Sequence, residues 1–262
     1  MKTFLNKTKD KMLKSKKIWS EDYVKQLRKY EDEFKFYLAE PFGCAPGSKH
    51  PIDNLSRFEN LCFILKALSL PRKSKLLEIG CGSGWLAIFL FLMEYDVTST
   101  TITKDEITIS NKKAKKMMNA KPKFILDDIT NTKIRGKFDA IILNGTFHHL
   151  KDKTRALKNC LKLLYEDGRL IIIEPGEKHN QSGKVRDIEN KYNIRECGTS
   201  MKEMKKCLSD SGFRKISFCT SKNIFFHSFR EMIYQIGRLL NPHKHKKILL
   251  VLAYKKKINS LN

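Results

Sequence analysis

The residues best suited to chemistry lie together in Glu78-Ile79-Gly80-Cys81-Gly82-Ser83-Gly84, between the apolar pair Leu76-Leu77 and the apolar run from Trp85 to Met93. Alternate glycines let the backbone turn sharply and approach a ligand closely, while the free N–H groups and dipole of a helix start attract negative charge. The stretch therefore predicts a strand, a ligand-cradling turn and the start of a helix. Its spacing is G-x-G-x-G. The G-x-G-x-x-G turn that seats a dinucleotide pyrophosphate needs glycine at 85, where this chain has Trp85. Glu78, two places before the first glycine, suits a cationic amino group better than a phosphate. Such a turn also occurs with no ligand at all, so its neighbours must decide.

A second group is His148-His149, just past the apolar run Phe138 to Leu143. A neutral imidazole takes a proton near pH 7, and the carboxyl ends of strands are where open α/β sheets bind ligands. The pair would serve equally well as a cap or as filling for a strand-to-helix turn. A third is the loop from Pro41 to Pro51, with three prolines and two glycines in eleven residues and with Lys49, His50, Asp53 and Arg57 in or near it. It reads either as a connector or as a segment that closes over an acceptor. The seven cysteines (Cys44, Cys62, Cys81, Cys160, Cys197, Cys207, Cys219) are odd in number and contain no C-x-x-C pair. They suggest reduced thiols, with no disulfide framework and no metal site.

The elements that must position these residues follow from periodicity. Short apolar runs alternate with amphipathic stretches from Lys75 onward, the pattern of β-α-β units and a parallel sheet. Strands are predicted at Lys75–Ile79, Asp96–Thr101, Lys123–Leu126, Phe138–Leu143, Arg169–Glu174, Lys215–Cys219 and Ile248–Tyr254. Helices fit at Trp85–Met93, Asp105–Asn119, Lys153–Tyr165 and Ser200–Ser211, with a further amphipathic stretch at Phe225–Leu240. Before the sheet, one amphipathic helix is expected from about Ser20, and a second begins near Asp53 or Asn54 and ends before Pro71.

At the glycine turn the chain resembles class I, Rossmann-like S-adenosylmethionine-dependent methyltransferases, and three further segments continue the likeness in order. Phe124-Ile125-Leu126-Asp127-Asp128-Ile129 is similar to the family segment whose acid hydrogen-bonds the adenine amine; register places that acid at Asp128. The segment Phe138 to Leu150 is similar to the fourth-strand motif of the branch that includes ubiquinone and menaquinone methyltransferases. Leu157 to Leu164, Glu166-Asp167-Gly168-Arg169-Leu170 and Ile171 to Gly176 match the helix, turn and strand that follow. The likeness covers residues 75 to 176.

That resemblance implies a three-layer α/β fold, its seven-stranded sheet mainly parallel with the last strand reversed, plus an N-terminal helical cap. It implies S-adenosyl-L-methionine as cofactor, held by Glu78, Gly80, Cys81, Gly82, Gly84, Asp128, Ile129 and Asn144. One departure stands out. The family usually ends its second strand with an acid that grips both ribose hydroxyls, whereas Val97 to Thr103 ends that strand in threonine. Thr101 to Glu106 resembles the variant of cyclopropane fatty acid synthases, in which a threonine and an amide five residues later share the ribose. On that likeness Thr101 and Glu106 hold the ribose here; a helix-start carboxylate favoured by the dipole would also stand at 106.

The implied reaction is methyl transfer to a small-molecule or lipid-like acceptor. Displacement from an activated sulfonium mainly requires orientation, so His148 and His149 become catalytic candidates where the acceptor needs a base. RNA methylation is the alternative enzyme reading. The net charge is +24, and residues 178–262 carry 19 Lys+Arg against 6 Asp+Glu. The excess is mostly lysine, which a solvated surface explains as well, and no Asn-Pro-Pro-Tyr-type motif is present. A non-catalytic binding module of the same fold would account for the missing ribose acid. The expected layout is a helical cap and loop over 1–70, flexible over 1–19, then a methyltransferase domain over 71–262 with a helical insertion at about 222–243. The chain shows no signal-like start and no apolar run long enough to span a bilayer, so the expected location is the cytoplasm.

Overall fold

The apolar runs become strands because burial on both faces rewards continuous Leu, Ile and Val. The computed structural model describes residues 23–42, 55–177, 179–181, 183–192, 194, 196–220 and 248–255. In chain order its helices are α1 (Tyr23–Leu27), α2 (Glu31–Ala39), α3 (Leu55–Leu68), α4 (Trp85–Leu92), α5 (Lys104–Lys116), α6 (Lys153–Leu163), α7 (Gly183–Tyr192) and α8 (Met201–Asp210). Its strands are β1 (Lys75–Ile79), β2 (Asp96–Thr101), β3 (Lys123–Leu126), β4 (Phe138–Asn144), β5 (Leu164–Pro175), β6 (Lys215–Thr220) and β7 (Ile248–Tyr254). The expected flexible start, the helix at 225–240 and nearly all of the 41–51 loop lie outside the described residues. Among the described residues no helix is long and apolar enough to cross a membrane.

The seven strands form one sheet in the order β3-β2-β1-β4-β5-β7-β6. β7 runs antiparallel to both β5 and β6, and the pairs from β3 across to β5 are parallel. The reversed last strand is the expected one. Side chains alternate between the sheet's faces. Leu77, Ile79, Ile141, Leu143, Leu170 and Ile172 meet α6 and α8 through Leu157, Cys160, Met204 and Leu208. Leu76, Ala140, Ile142, Ile171 and Ile173 meet α3 and α4 through Ile64, Leu68, Leu86 and Leu90. Helix α4, Trp-Leu-Ala-Ile-Phe-Leu-Phe-Leu, is apolar all round because it lies inside this second layer.

Three elements differ from expectation. The N-terminal helix is two, α1 and α2, the second restarting with Glu31, Asp32 and Glu33 in its first turn, where the dipole favours acids. β5 begins at Leu164 rather than at Arg169, since Leu164 already pairs with Phe138 before the register shifts. α7 has no counterpart in the sequence reading; a glutamate, Glu189, stands in its buried stripe with Val185 and Tyr192 and hides the helical period.

Strand β2 is polar yet buried, with Thr98, Ser99, Thr100 and Thr101 all out of solvent. β-branched threonine suits the pleat, and three of the hydroxyls find acceptors: Ser99 on Glu78 Oε2 (2.6 Å), Thr100 on the Glu78 carbonyl (3.3 Å) and Thr101 on Glu106.

The turn after β1 depends on glycine for two reasons. Gly80, Gly82 and Gly84 have φ of +81°, +51° and +80°. A Cβ on Gly80 would meet Thr146 Oγ1 at 2.4 Å, and one on Gly84 would meet Ser110 at 2.6 Å, whereas at Gly82 the nearest atom is 3.9 Å away. Left-handed strain alone costs about 1–2 kcal/mol per residue, and overpacking adds about 1–3 kcal/mol. Urea unfolding should therefore rank Gly80→Ala and Gly84→Ala as clearly more destabilising than Gly82→Ala; equal losses at all three would mean that the close approaches carry no energy.

Candidate functional site

Strand order runs outward in opposite directions from β1 and β4, so the crevice between them is the sheet's topological switch point, where such sheets bind ligands. The glycine turn stands at the end of β1 and Asn144 to His149 at the end of β4; Gly80 and Thr146 hold the two segments in contact. The turn is anchored sideways, with the Gly80 and Cys81 N–H groups donating to the Thr100 carbonyl at 2.9 and 2.8 Å. Cys81 is buried, its thiol near Ser110 Oγ at 3.7 Å.

The carboxylates around this turn are buried in a strongly basic protein. Glu78 is 3% exposed and accepts from Ser99 Oγ and from the Ala87 backbone N–H. Glu106, also 3% exposed, accepts from the Thr101 hydroxyl and from Tyr37 Oη at 3.0 Å. Burial pushes the Glu106 carboxyl above its ordinary range, while the Thr101 and Tyr37 hydroxyls work against that shift. Thr103 caps α5 by accepting from the Glu106 N–H at 3.2 Å, which fixes Glu106 at the rim of the turn. Thr101 and Glu106, paired on the sequence likeness, are thus brought into direct contact.

The N-terminal helices dock on the same turn. Tyr37 of α2 supplies the hydrogen bond to Glu106 and is the nearest neighbour of Gly82. Glu40, just past α2, accepts from Ser83 Oγ at 2.8 Å and from Arg57 at 2.7 Å, and Lys113 donates to Ser83 Oγ and to the Glu40 carbonyl. Burial lowers Lys113 to about 8. Tyr37 and Glu40 were not read from the sequence, because their partners lie 69 and 43 residues away.

Beyond β3, Asp128 accepts from the Thr130 N–H at 2.8 Å and caps a short 3-10 turn, Ile129–Asn131, in which Ile129 is buried. Asp127 uses Oδ2 for the Lys133 N–H at 2.8 Å; its Oδ1 is buried and has no hydrogen-bond partner among the described residues. Across the switch point, Asn144 accepts from Asn60 Nδ2 at 3.3 Å.

His148 and His149 form the other half of the site, their ring centroids 3.8 Å apart. Glu174, at the end of β5 and fully buried, accepts from the Phe147 N–H (2.6 Å), the His148 N–H (3.2 Å) and His148 Nδ1 (2.6 Å). On the other side of the ring, His148 Nε2 lies 3.0 Å from Glu196 Oε2, and His179 Nε2 lies 3.3 Å from the same oxygen. Although burial opposes its charge, Glu174 and Glu196 raise His148 to about 10. Although burial opposes ionisation, the imidazoles of His148 and His179 hold the Glu196 carboxyl well below its ordinary range. The sequence reading singled out neither Glu196 nor His179. No short spacing links them to His148, and they arrive because residues beyond β5 fold back: Gly176 bridges Thr199, and Gly198 passes so close that a Cβ would meet the Gly176 carbonyl at 2.4 Å.

Glu78 gives the site a measurable signature. Burial raises its carboxyl to about 8, against the Ser99 and Ala87 hydrogen bonds that favour the ionised form. The folded protein therefore retains a proton that the unfolded chain releases once pH passes 4.5. Stability from this group is full below that pH and falls as pH rises toward 8, by up to about 1.4 kcal/mol per unit. Glu78→Gln removes the slope. Urea unfolding at about pH 5 and about pH 8 should show the variant losing less stability than the parent between the two; parallel losses would place the titration elsewhere.

Known proteins share both the sequence pattern and the fold. The chain is 28% identical over 183 residues to the carboxy-S-adenosyl-L-methionine synthase of Campylobacter concisus, covering 63% of this chain and 75% of that protein. Haemonchus contortus phosphoethanolamine N-methyltransferase 2, solved with phosphomonomethylethanolamine and S-adenosylhomocysteine, superposes with a TM-score of 0.65 at 14% identity. That match covers 92% of this chain and 61% of the Haemonchus chain, so this chain spans less than two thirds of it. Magnesium protoporphyrin IX methyltransferase of Synechocystis, solved with bound SAH, gives a TM-score of 0.59 at 17% identity over 89% of this chain and 100% of that one. Residues 71–240 match the family described as "Methyltransferase domain". That span runs from before β1 to beyond β6 and takes in both sides of the switch point; the chain belongs to the methyltransferase domain family and is an S-adenosylmethionine-dependent enzyme.

Proposed function

We propose that this methyltransferase acts on a small-molecule or lipid-like acceptor, with the cofactor across the glycine turn and the acceptor beside Asn144 to His149. The carrying observation is the pair of buried carboxylates at the turn. Glu78 and Glu106 are bonded to hydroxyl and N–H donors and, among the described residues, to no lysine or arginine. At Glu78 a buried acid without a cationic side chain suits the ammonium of a cofactor that brings its own positive charge, and at Glu106 it suits a pair of hydroxyl donors.

In this reading Thr101 and Glu106 hold the ribose, with Tyr37 steering the Glu106 carboxylate. Asp128 takes the adenine amine beside Ile129, and the partnerless Oδ1 makes Asp127 its competitor. Gly80, Gly82 and Gly84 let the donor lie against the backbone, Cys81 fills the underside of the turn, and Asn144 lines the crevice. His148, occupied at both ring nitrogens, positions His149 and Glu196 on the acceptor side. The names of the similar structures support a small acceptor, since phosphomonomethylethanolamine is bound in one and magnesium protoporphyrin IX is named in another.

Calorimetric titration with S-adenosylmethionine tests the cofactor half. Losing a hydrogen bond to a charged group removes about 1.5–3 kcal/mol, so Glu106→Gln should weaken binding by about tenfold or more, and Tyr37→Phe by less. An unchanged affinity in Glu106→Gln would remove the ribose assignment; comparing Asp127→Asn with Asp128→Asn separates the two adenine candidates. For the acceptor half, the enzyme is incubated with methyl-labelled cofactor and a fractionated cell extract. The expected result is label in the small-molecule or lipid fraction; label confined to RNA would overturn the acceptor class.

A further inference from the structure

The acceptor side of the crevice holds more ligand-type atoms than a hydrogen-bonding role requires. One ring nitrogen each from His148 and His149 and a Glu196 carboxylate oxygen lie within 4.8 Å of one another. His148 Nε2 is 3.0 Å and His149 Nε2 3.8 Å from the Glu196 carboxylate, and His179 Nε2 reaches the same carboxylate at 3.3 Å. Bonds of about 2.0–2.2 Å from zinc to nitrogen or oxygen place neighbouring ligand atoms of one tetrahedral shell about 3–3.5 Å apart. The observed separations fall around that range.

The surroundings point the same way. Metal-binding histidines almost always donate their second ring nitrogen to a carboxylate or carbonyl, which fixes the tautomer and ring orientation. His148 does this, with Nδ1 on Glu174 at 2.6 Å, and Glu174 is itself held by the Phe147 and His148 N–H groups. Glu196 is fixed from behind as well, its N–H donating to Glu189 Oε1 of α7 at 2.8 Å. The His148 ring is thus oriented through its far nitrogen, and Glu196 is anchored through its backbone beside it.

We propose that His148 Nε2, His149 Nε2 and the Glu196 carboxylate bind one divalent transition-metal ion of the zinc type, with His179 as an auxiliary group. Two imidazoles and a carboxylate suit zinc and its neighbours rather than magnesium or calcium, which take oxygen ligands. The ion replaces the proton between His148 Nε2 and Glu196 and balances the charge of Glu174 and Glu196. Three protein ligands leave a coordination position for water or a ligand oxygen, the count of a catalytic rather than a structural zinc site. The simpler arrangement of the same atoms is an imidazolium bridging two carboxylates, which takes up no metal.

The test uses the full chain, stripped with chelator and then titrated with zinc chloride alone, with calorimetry and elemental analysis as readouts. The expected result is uptake of one equivalent by the wild type, together with visible d–d absorption when cobalt(II) is supplied instead. His149→Ala and Glu196→Gln should each weaken uptake by more than the about 10–100-fold expected of an orienting residue. Should either variant fail to fold, the wild-type stoichiometry and the cobalt spectrum still decide. No stoichiometric uptake by the wild type, or uptake unchanged in both folded variants, overturns the proposal. The titration contains no S-adenosylmethionine and no acceptor, so its outcome is separate from that of the methyl-transfer reading.

Discussion

The parallel pairing of β1 with β4, Leu76–Ile79 against Ala140–Leu143, is the constraint on which the rest of the site depends. It places two strand ends side by side at the switch point, where the chain leaves in opposite directions across the sheet. The glycine turn, the end of β2 and the Asn144–His149 segment therefore converge there, and the contact between Gly80 and Thr146 is their seam. A side chain at position 80 would press on Thr146 and push the two segments apart.

The crevice is acidic inside a basic molecule. Glu78, Glu106 and Glu174 are all buried, and their partners are hydroxyls, backbone N–H groups and an imidazole. This arrangement explains why β2 is built from serine and threonine: each hydroxyl that faces a carboxylate satisfies it without adding charge. An arginine or lysine in the same places would stabilise the acids more strongly and would also repel a cationic cofactor. The +24 net charge therefore says little about the site, where the fully buried ionisable side chains are mostly glutamates.

Helices from outside the sheet complete this environment. α2 brings Tyr37 onto Glu106, and Glu40 just past it onto Ser83, so the N-terminal segment packs on the glycine turn. α7 fixes the backbone of Glu196, whose carboxylate meets His148. The two sides are built by different parts of the chain: strand ends and the N-terminal helices at the glycine turn, and the segment beyond β5 at the histidines. Fold membership accordingly constrains the donor half far more than the acceptor half.

The strands and the glycine turn were legible in the sequence, and the pairing of Thr101 with Glu106 was implied there by a family resemblance, whereas the Thr103 cap emerged only with the structure. The legible features are local: alternation, apolar runs, turn chemistry and five-residue spacings act within one element and its neighbour. The residues that set the electrostatics of the histidine pair were not. Glu196 and His179 come from a stretch with no strong period, and Glu196 lies 48 residues from His148. Tyr37 lies 69 residues from Glu106, and only folding set its hydroxyl on that carboxylate. Sequence by itself determined the sheet and the turn, because these rest on short-range patterns, and the order of its motifs carried the family resemblance that implied the cofactor class. Only the tertiary structure decided which charges meet in the crevice, because burial and long-range packing bring together groups that no local spacing connects.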